Sequence, residues 1–347
     1  MTQDGKFGRA IMIRSVLVTG DRGYIGSVLV SRLLGNGYSV VGLDSQFYGP
    51  SNLHYKQITK DIRDIEEKDL KGIDAVIHLA ALSNDPLGSL DPKLTREINY
   101  SASIKLAELS RKSGIKRFLF SSSCSVYGKS DEDLVSETSE THPLTSYAKS
   151  KVEVENQLNK ISDKNFCAIV MRNATVYGYS PKFRADLVVN NLVASAVSLG
   201  KIIVNSDGSP WRPLIDVRDL SSFFIGFLEI DRKKIVKNLY NVGFNRNNFQ
   251  VKDIADAIKS VIPSCCVLYK GQDADSRSYR VDFSSVSKLL PNIVQEYPLK
   301  KSVRDLVEKL KKMHFSSSDF LERRYERIFE LKKLIRYHTI NESLRFA

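Results

Sequence analysis

Short apolar runs alternate with longer amphipathic stretches through the first two thirds of the chain. Residues 15–18, 39–43, 74–79, 117–121 and 165–171 are brief runs dominated by Val, Ile, Leu, Ala and Phe. Such runs read as strands buried on both faces, because a half-exposed strand would alternate apolar and polar positions. Helical periodicity fills the intervals at 27–34, 93–113 and 145–161, and the first of these stops at Gly35 and Gly37, residues that commonly end helices. Strands alternating with helices at this rhythm predict an α/β fold, a Rossmann-like doubly wound parallel sheet. Beyond residue 178 the pattern changes. An apolar helix at 185–199, a short strand at 201–204 and helices at 251–261 and 284–290 predict a smaller, mixed α/β C-terminal substrate domain. The expected division is 14–178 with 210–245 returning to it, then 179–209 with 246–312, and a helical basic extension at 313–347.

Composition leaves this picture standing. The 347 residues are 42% hydrophobic and 27% charged, the balance of an ordinary globular protein. No apolar run reaches the length of a membrane span, and the first twelve residues, which read as a short disordered leader, carry no signal-peptide pattern. Cys124, Cys167, Cys265 and Cys266 show neither metal-ligand spacing nor a disulfide framework, so a reducing cytoplasm is the expected home and no metal is expected. The formal charge of +12 invites a nucleic-acid reading. Yet residues 300–347 hold 13 Lys and Arg against 7 Asp and Glu, half of the excess. The remainder is dispersed, without the basic and aromatic interleaving of a nucleic-acid platform. A solvated helical tail explains it better.

Candidate chemistry begins between the first strand and first helix. Thr19-Gly-Asp-Arg-Gly-Tyr-Ile-Gly26 places glycines at 20, 23 and 26. They permit a tight turn, close approach of backbone to a pyrophosphate, and close packing of helix on sheet. The helix N-terminus presents free N–H groups to the phosphates. The next strand ends in Asp44, whose carboxylate can accept both hydroxyls of an adenosine ribose and repels a 2′-phosphate. No arginine follows it directly, so NAD is expected rather than NADP. Asp61 and Ile62 sit at a strand end that could reach adenine, and Ala80 and Ala81 are small enough to let a cofactor lie close.

A second constellation lies downstream. Tyr147 and Lys151 stand four apart at the start of a helical pattern and so share one face. A free tyrosine titrates near 10, and an adjacent ammonium favours the phenolate. Bringing it to neutrality takes roughly 4 kcal/mol of differential stabilisation. An exposed lysine would not supply that; a lysine in a closed site beside a cationic cofactor ring could. Ser123, at the end of the preceding strand, would hydrogen-bond the oxygen whose proton Tyr147 exchanges.

Taken in order, Thr19-Gly-x-x-Gly-x-x-Gly26, Asp44, Asp61-Ile62, His78-Leu-Ala-Ala81, Asn99, Ser121-Ser-Ser-x-x-Val-Tyr-Gly128 and Tyr147-x-x-x-Lys151 resemble the extended short-chain dehydrogenase/reductase superfamily, in its nucleotide-sugar epimerase/dehydratase branch. The resemblance spans about residues 14–290. It implies NAD held by Gly20, Gly23, Tyr24, Ile25, Gly26, Asp44, Asp61, Ile62, Leu79, Ala80, Ala81, Asn99, Ser121, Tyr147 and Lys151. It implies catalysis by Tyr147, Lys151 and Ser123, and a nucleotide-diphosphate sugar held by Ser83, Ser123, Thr175, Arg212 and Arg277. Arginines suit a diphosphate because the planar fork bonds phosphate oxygens in pairs. Thr175 departs from the family pattern, which has asparagine there. Trp211 is expected in the core. A homodimer through helices at 93–113 and 145–161 is likewise implied.

The resemblance also bears on the reaction. Family 4,6-dehydratases carry Asp-Glu after the catalytic Ser or Thr, where this chain has Cys124 and Ser125. Reductase–epimerases of the GDP-fucose synthase type carry cysteine two after the serine. Here Cys124 is one residue off, and in an extended chain one step turns a side chain to the opposite face, so Cys124 reads as packing. The pattern looks most like a 4-epimerase, acting through a transient 4-keto sugar. A 4-ketosugar reductase or dehydrogenase on the same scaffold is the alternative, with a non-catalytic nucleotide- or RNA-binding relative as the outlier.

Overall fold

The computed structural model describes residues 13–129, 132–271 and 278–346. The expected leader at 1–12 and Arg277 lie outside them. The strands are β1 (Ser15–Thr19), β2 (Ser39–Asp44), β3 (Lys56–Thr59), β4 (Ala75–His78), β5 (Arg117–Ser123), β6 (Cys167–Asn173), β7 (Thr175–Tyr177), β8 (Lys201–Val204), β9 (Trp211–Asp216), β10 (Leu239–Val242), β11 (Asn248–Gln250) and β12 (Cys266–Tyr269). Between and after them lie α1 (Tyr24–Gly35), α2 (Asp85–Gly88), α3 (Pro92–Arg96), α4 (Ala102–Lys112), α5 (Ser146–Ile161), α6 (Val188–Leu199), α7 (Val217–Glu229), α8 (Val251–Val261), α9 (Ser284–Leu289), α10 (Leu299–Lys312), α11 (Ser317–Leu321) and α12 (Arg327–Arg336).

The order β10-β6-β5-β4-β1-β2-β3 makes one seven-stranded sheet, parallel throughout. The chain lays down β1, β2 and β3 toward one edge, then returns to place β4 on the far side of β1. That reversal opens a crevice outside the carboxyl ends of β1 and β4, where ligands bind in folds of this kind. The apolar runs explain why the sheet is covered on both sides. Alternate residues of one strand enter different clusters: Phe118 and Phe120 pack with Leu17 and Val76 on one face, Leu119 with Val18, Ile77 and Ile169 on the other. Each such buried side chain contributes about 1.5–3 kcal/mol of burial free energy.

A third cluster forms among α6, α8, α10 and β8, around Val193, Ile202, Ile254, Ile258, Val303 and Leu306. Two smaller sheets accompany it: β11-β9-β7, and the parallel pair β12-β8.

Three local readings change. The helix expected over 93–113 is interrupted: between α3 and α4 the segment Glu97–Ser101 adopts a π-helical turn carrying Asn99. The strand expected to end at 121 runs on to Ser123, so the serines belong to β5 itself. Trp211 is not a core residue. It is half-buried, 5.3 Å beneath the Arg280 guanidinium, at the partly exposed start of a strand whose later residues, 213–216, are buried. Among the described residues all four cysteines are free, and no helix is long and apolar enough to cross a membrane.

Candidate active site

A cavity of about 790 Å³ lies in the crevice beyond the strand ends. The turn after β1 forms its near edge. Gly20 sits at φ +72°, and a Cβ there would come within 2.8 Å of the Ala80 backbone nitrogen. A Cβ on Gly26 would lie 2.1 Å from the Gly20 carbonyl oxygen, so α1 can approach the turn this closely only without a side chain. The N-terminus of α1 therefore opens directly on the cavity.

Asp44 ends β2 on the cavity wall. Its carboxylate accepts from the Gln46 N–H at 2.6 Å and the Arg22 N–H at 3.3 Å. Burial raises its pKa against these bonds. Ile62, Leu79, Ala80 and Ala81 also line the wall. Asp61 lies there too, but Arg63 engages both its oxygens, at 3.0 and 2.7 Å. Burial raises the Asp61 pKa, and the Arg63 bonds more than offset this to leave it lowered.

The far end of β5 meets the start of α5. Thr145 caps α5 by accepting the Ala148 N–H at 3.2 Å, which fixes where Tyr147 and Lys151 emerge. Lys151 is 4% exposed. Its Nζ donates to the Ser121 carbonyl at 2.7 Å and lies 5.6 Å from the Tyr147 ring centroid. Burial pushes its pKa down to about 7, opposed by Glu155 one turn along. The lysine is thus as enclosed as the chemistry of Tyr147 requires.

The strand alternation sorts the three serines. Ser122 borders the cavity but turns its hydroxyl to donate to Glu155, which also holds Arg172 at 2.7 Å in a buried ion pair. Ser121 and Ser123 line the cavity. Ser121 Oγ accepts from Asn173 Nδ2 at 2.9 Å, and Ser123 Oγ from the Ser125 N–H at 3.1 Å. Cys124 is buried at 1% exposure, donating to the Arg172 carbonyl at 3.3 Å, and burial raises its pKa. It packs rather than facing the cavity. Ser125 Oγ and Asn173 Oδ1 are buried on the cavity side with no hydrogen-bond partner within the described protein. Orphaned polar atoms at such a wall call for a ligand to complete them.

Gly20, Gly23, Tyr24, Ile25, Gly26 and Ser83, with Thr175 and Arg212, also reach the wall. Ser83 accepts from Arg184 Nη1 at 3.1 Å. Asn99 is the exception among the expected residues within the described chain. At 1% exposure it clamps Leu82, accepting its N–H at 2.8 Å and donating to its carbonyl at 3.2 Å, and it donates to Ser150 Oγ at 3.2 Å. The π-turn directs it into the protein, so it supports the wall from behind. His78 is similarly structural. It bridges Thr19 and Ser103 at 2.6 and 2.7 Å, and burial lowers its pKa to about 3, leaving it neutral.

Several wall residues carry no signal in the motifs. Arg184 and Asp186 form a buried ion pair at 2.8 Å, tied to the Rossmann side through Ser83 and Asn84. Asn191 and Tyr279 join them, as do Arg323, Glu326, Arg327, Ile328 and Phe329 from the C-terminal segment. A loop arginine two residues before an aspartate was the only hint of the ion pair.

Residues 16–243 match the NAD dependent epimerase/dehydratase family. The chain is 32% identical to a UDP-glucose 4-epimerase of Mycolicibacterium smegmatis over 60% of its own length and 71% of the relative's. Its fold superposes on a UDP-glucose 4-epimerase of Thermotoga maritima solved with UDP-glucose, at TM-score 0.77 and 25% identity, covering 86% of this chain and 99% of that one. It also superposes on MoeE5 in complex with UDP-glucuronic acid and NAD, at TM-score 0.75 and 25% identity, covering 86% and 99%. With a glycine turn, the Asp44 carboxylate, Tyr147 and the buried Lys151 in one crevice, this chain belongs to the NAD-dependent epimerase/dehydratase family, an NAD-dependent enzyme of the extended short-chain dehydrogenase/reductase type.

Proposed function

We propose that the protein is a nucleotide-sugar epimerase that inverts C4 of a UDP-sugar through a transient 4-keto sugar. The observation that carries this reading is the wall formed by Ser123, Tyr147 and Lys151, with Ser125 on the cavity where a dehydratase of the family would present a glutamate. The UDP-sugars named for the relatives support the choice of nucleotide.

Gly20, Gly23–Gly26 and the α1 N-terminus would hold the pyrophosphate of NAD, Asp44 its adenosine ribose, and Leu79–Ala81 and Lys151 its nicotinamide half. Bound there, NAD would supply the acceptor for a hydride from a sugar carbon and the donor for its return. Tyr147 receives the proton of the 4-hydroxyl as a general base and returns it later as an acid. Ser123 donates to the same oxygen, and Lys151 stabilises the phenolate while it persists. Ser83, Thr175 and Arg212 face the sugar and its diphosphate, with Arg184 beside them, and Arg277 keeps the diphosphate role the sequence suggests. Inversion requires the free 4-keto sugar to turn before it is reduced, and where family dehydratases carry Asp-Glu after the serine this chain has Cys124 and Ser125.

This reading keeps the sequence division of the chain into a nucleotide-binding part at 14–178 and 210–245 and a substrate part at 179–209 and 246–312. It also places the enzyme in the cytoplasm as a homodimer through α4 and α5. NMR of products from a panel of UDP-sugars tests the function. Interconversion of C4 isomers with NAD present at less than the substrate concentration is the expected result. Stoichiometric consumption of NADH with a 4-keto substrate would instead make the protein a ketosugar reductase.

A further inference from the structure

After α10 the chain stays on the third cluster through Phe315, Phe320 and Tyr325, lines the cavity at Arg323 and 326–329, and then joins the cluster on the nucleotide-binding sheet. Phe315 anchors the first part, packing on Phe183 and Tyr325 with ring centroids 6.2 and 5.4 Å away. Tyr325 then accepts the Ala185 N–H through its carbonyl at 2.9 Å. Arg327 is 4% exposed. It donates to the Lys182 carbonyl at 2.8 Å, and its guanidinium stacks 3.9 Å from the Tyr48 ring centroid.

Past α12 the segment docks on the sheet itself. Leu331, Ile340 and Leu344 are buried in the same cluster as Leu17, Ile62 and Val76. Arg63 Nη2 donates to the Ser343 carbonyl at 2.9 Å, Arg345 pairs with Asp64 and lies 3.7 Å from Asp61, and Phe346 stacks on Phe47 at 5.6 Å. Phe47, Tyr48 and Asp61 are cavity-wall residues that follow Asp44 and β3. The segment therefore grips the very residues that form the adenosine end of the crevice, while Arg327 and Phe329 form part of the wall themselves. The tail keeps most of its cations exposed (Arg323, Arg324, Lys332, Lys333 and Arg336), as the solvated-helix reading expects, but it turns Arg327 onto Tyr48 and Arg345 onto Asp61 and Asp64.

We propose that residues 313–346 are a strap that retains the dinucleotide, so that NAD leaves only when the end of the strap undocks from Phe47, Asp61 and Arg63. The inference rests on the NAD site described above. A resident cofactor suits a reaction that returns its hydride, since nothing has to be exchanged between turnovers. The segment also makes the wall of the cofactor site depend on contacts that reach across the whole chain.

The test measures NAD dissociation from the full-length protein by displacement with excess etheno-NAD, followed by fluorescence. Leu344→Asp combined with Arg345→Glu puts charge into the docked end, and Phe346→Ala trims a half-exposed ring that no folding core needs. The double variant is expected to release NAD at least tenfold faster than wild type, and Phe346→Ala about threefold faster, with thermal unfolding still cooperative in both. Release at the wild-type rate in both variants would overturn the strap while leaving the cofactor site standing. A wild-type protein that takes up no NAD would overturn both.

Discussion

The two walls of the cavity are built differently. On one side, a turn, two strand ends and the first turn of α5 supply the reactive groups from short stretches of sequence, each locked by the sheet behind it. Lys151, Glu155, Arg172 and Ser122 form a continuous buried set. On the other side, Thr175, Arg184, Arg212 and the strap come from four separate segments. Arg184 reaches Ser83 and Arg327 the Lys182 carbonyl across the chain, while Arg212 donates to the carbonyl of its neighbour Trp211. A wall anchored in a parallel sheet can hold a reacting oxygen in place. A wall assembled from separate short segments can change its occupant without disturbing the chemistry. The division matches a family whose members share a cofactor and differ in the sugar they process.

Substitutions on each wall should separate these roles. Tyr147→Phe removes the proton acceptor while keeping the ring, and turnover should fall by about 10³-fold with NAD binding retained. Retained turnover in product NMR would break the assignment of chemistry to the sheet-anchored wall. Glu155→Gln leaves Arg172 as a buried charge without its partner and should cost about 3 kcal/mol of stability, read as a urea midpoint. An unchanged midpoint would mean that the ion pair does not support this wall.

Lys151 makes a pH prediction. Its folded pKa of about 7 lies below the ordinary 10.5 because burial disfavours the ammonium. Between those values the unfolded chain binds more protons than the folded one, so the lysine's destabilisation is complete below pH 7 and is relieved as pH rises. The cofactor-free protein should therefore gain about 2 kcal/mol relative to Lys151→Met between pH 7 and pH 9, measured by urea unfolding at each pH. A constant difference would show that the ammonium is not enclosed. The smallest effect is expected on the wall assembled from separate segments. Arg212→Ala should raise KM about tenfold, near 1.4 kcal/mol, with kcat within twofold. A fall in kcat comparable to that of Tyr147→Phe would erase the distinction between the walls.

Much of the first wall was legible before any coordinates. Glycines 20, 23 and 26 act within one turn, and the Tyr147–Lys151 pair within one turn of helix, so local geometry makes the chemistry readable from spacing. Asn99 marks the limit of that reading. A buried polar residue on a helix can face a ligand or brace a backbone, and the π-turn at Glu97–Ser101 turned it toward Leu82. Trp211 shows the same limit for burial, since nothing in its neighbours announced that β9 would bury 213–216 and leave its first residue half-exposed.

The chain's own pattern determined the alternating strands and helices, the parallel sheet, the cradle for a dinucleotide and the Tyr–Lys–Ser set, because each depends on residues a few positions apart. Tertiary structure alone decided that Arg184 would meet Ser83, that Arg345 would lie beside Asp61, and that Arg327 and Phe329 of the tail would join the cavity wall. Those pairings join segments separated by a hundred residues or more. They are set by how whole layers pack, which no local spacing encodes.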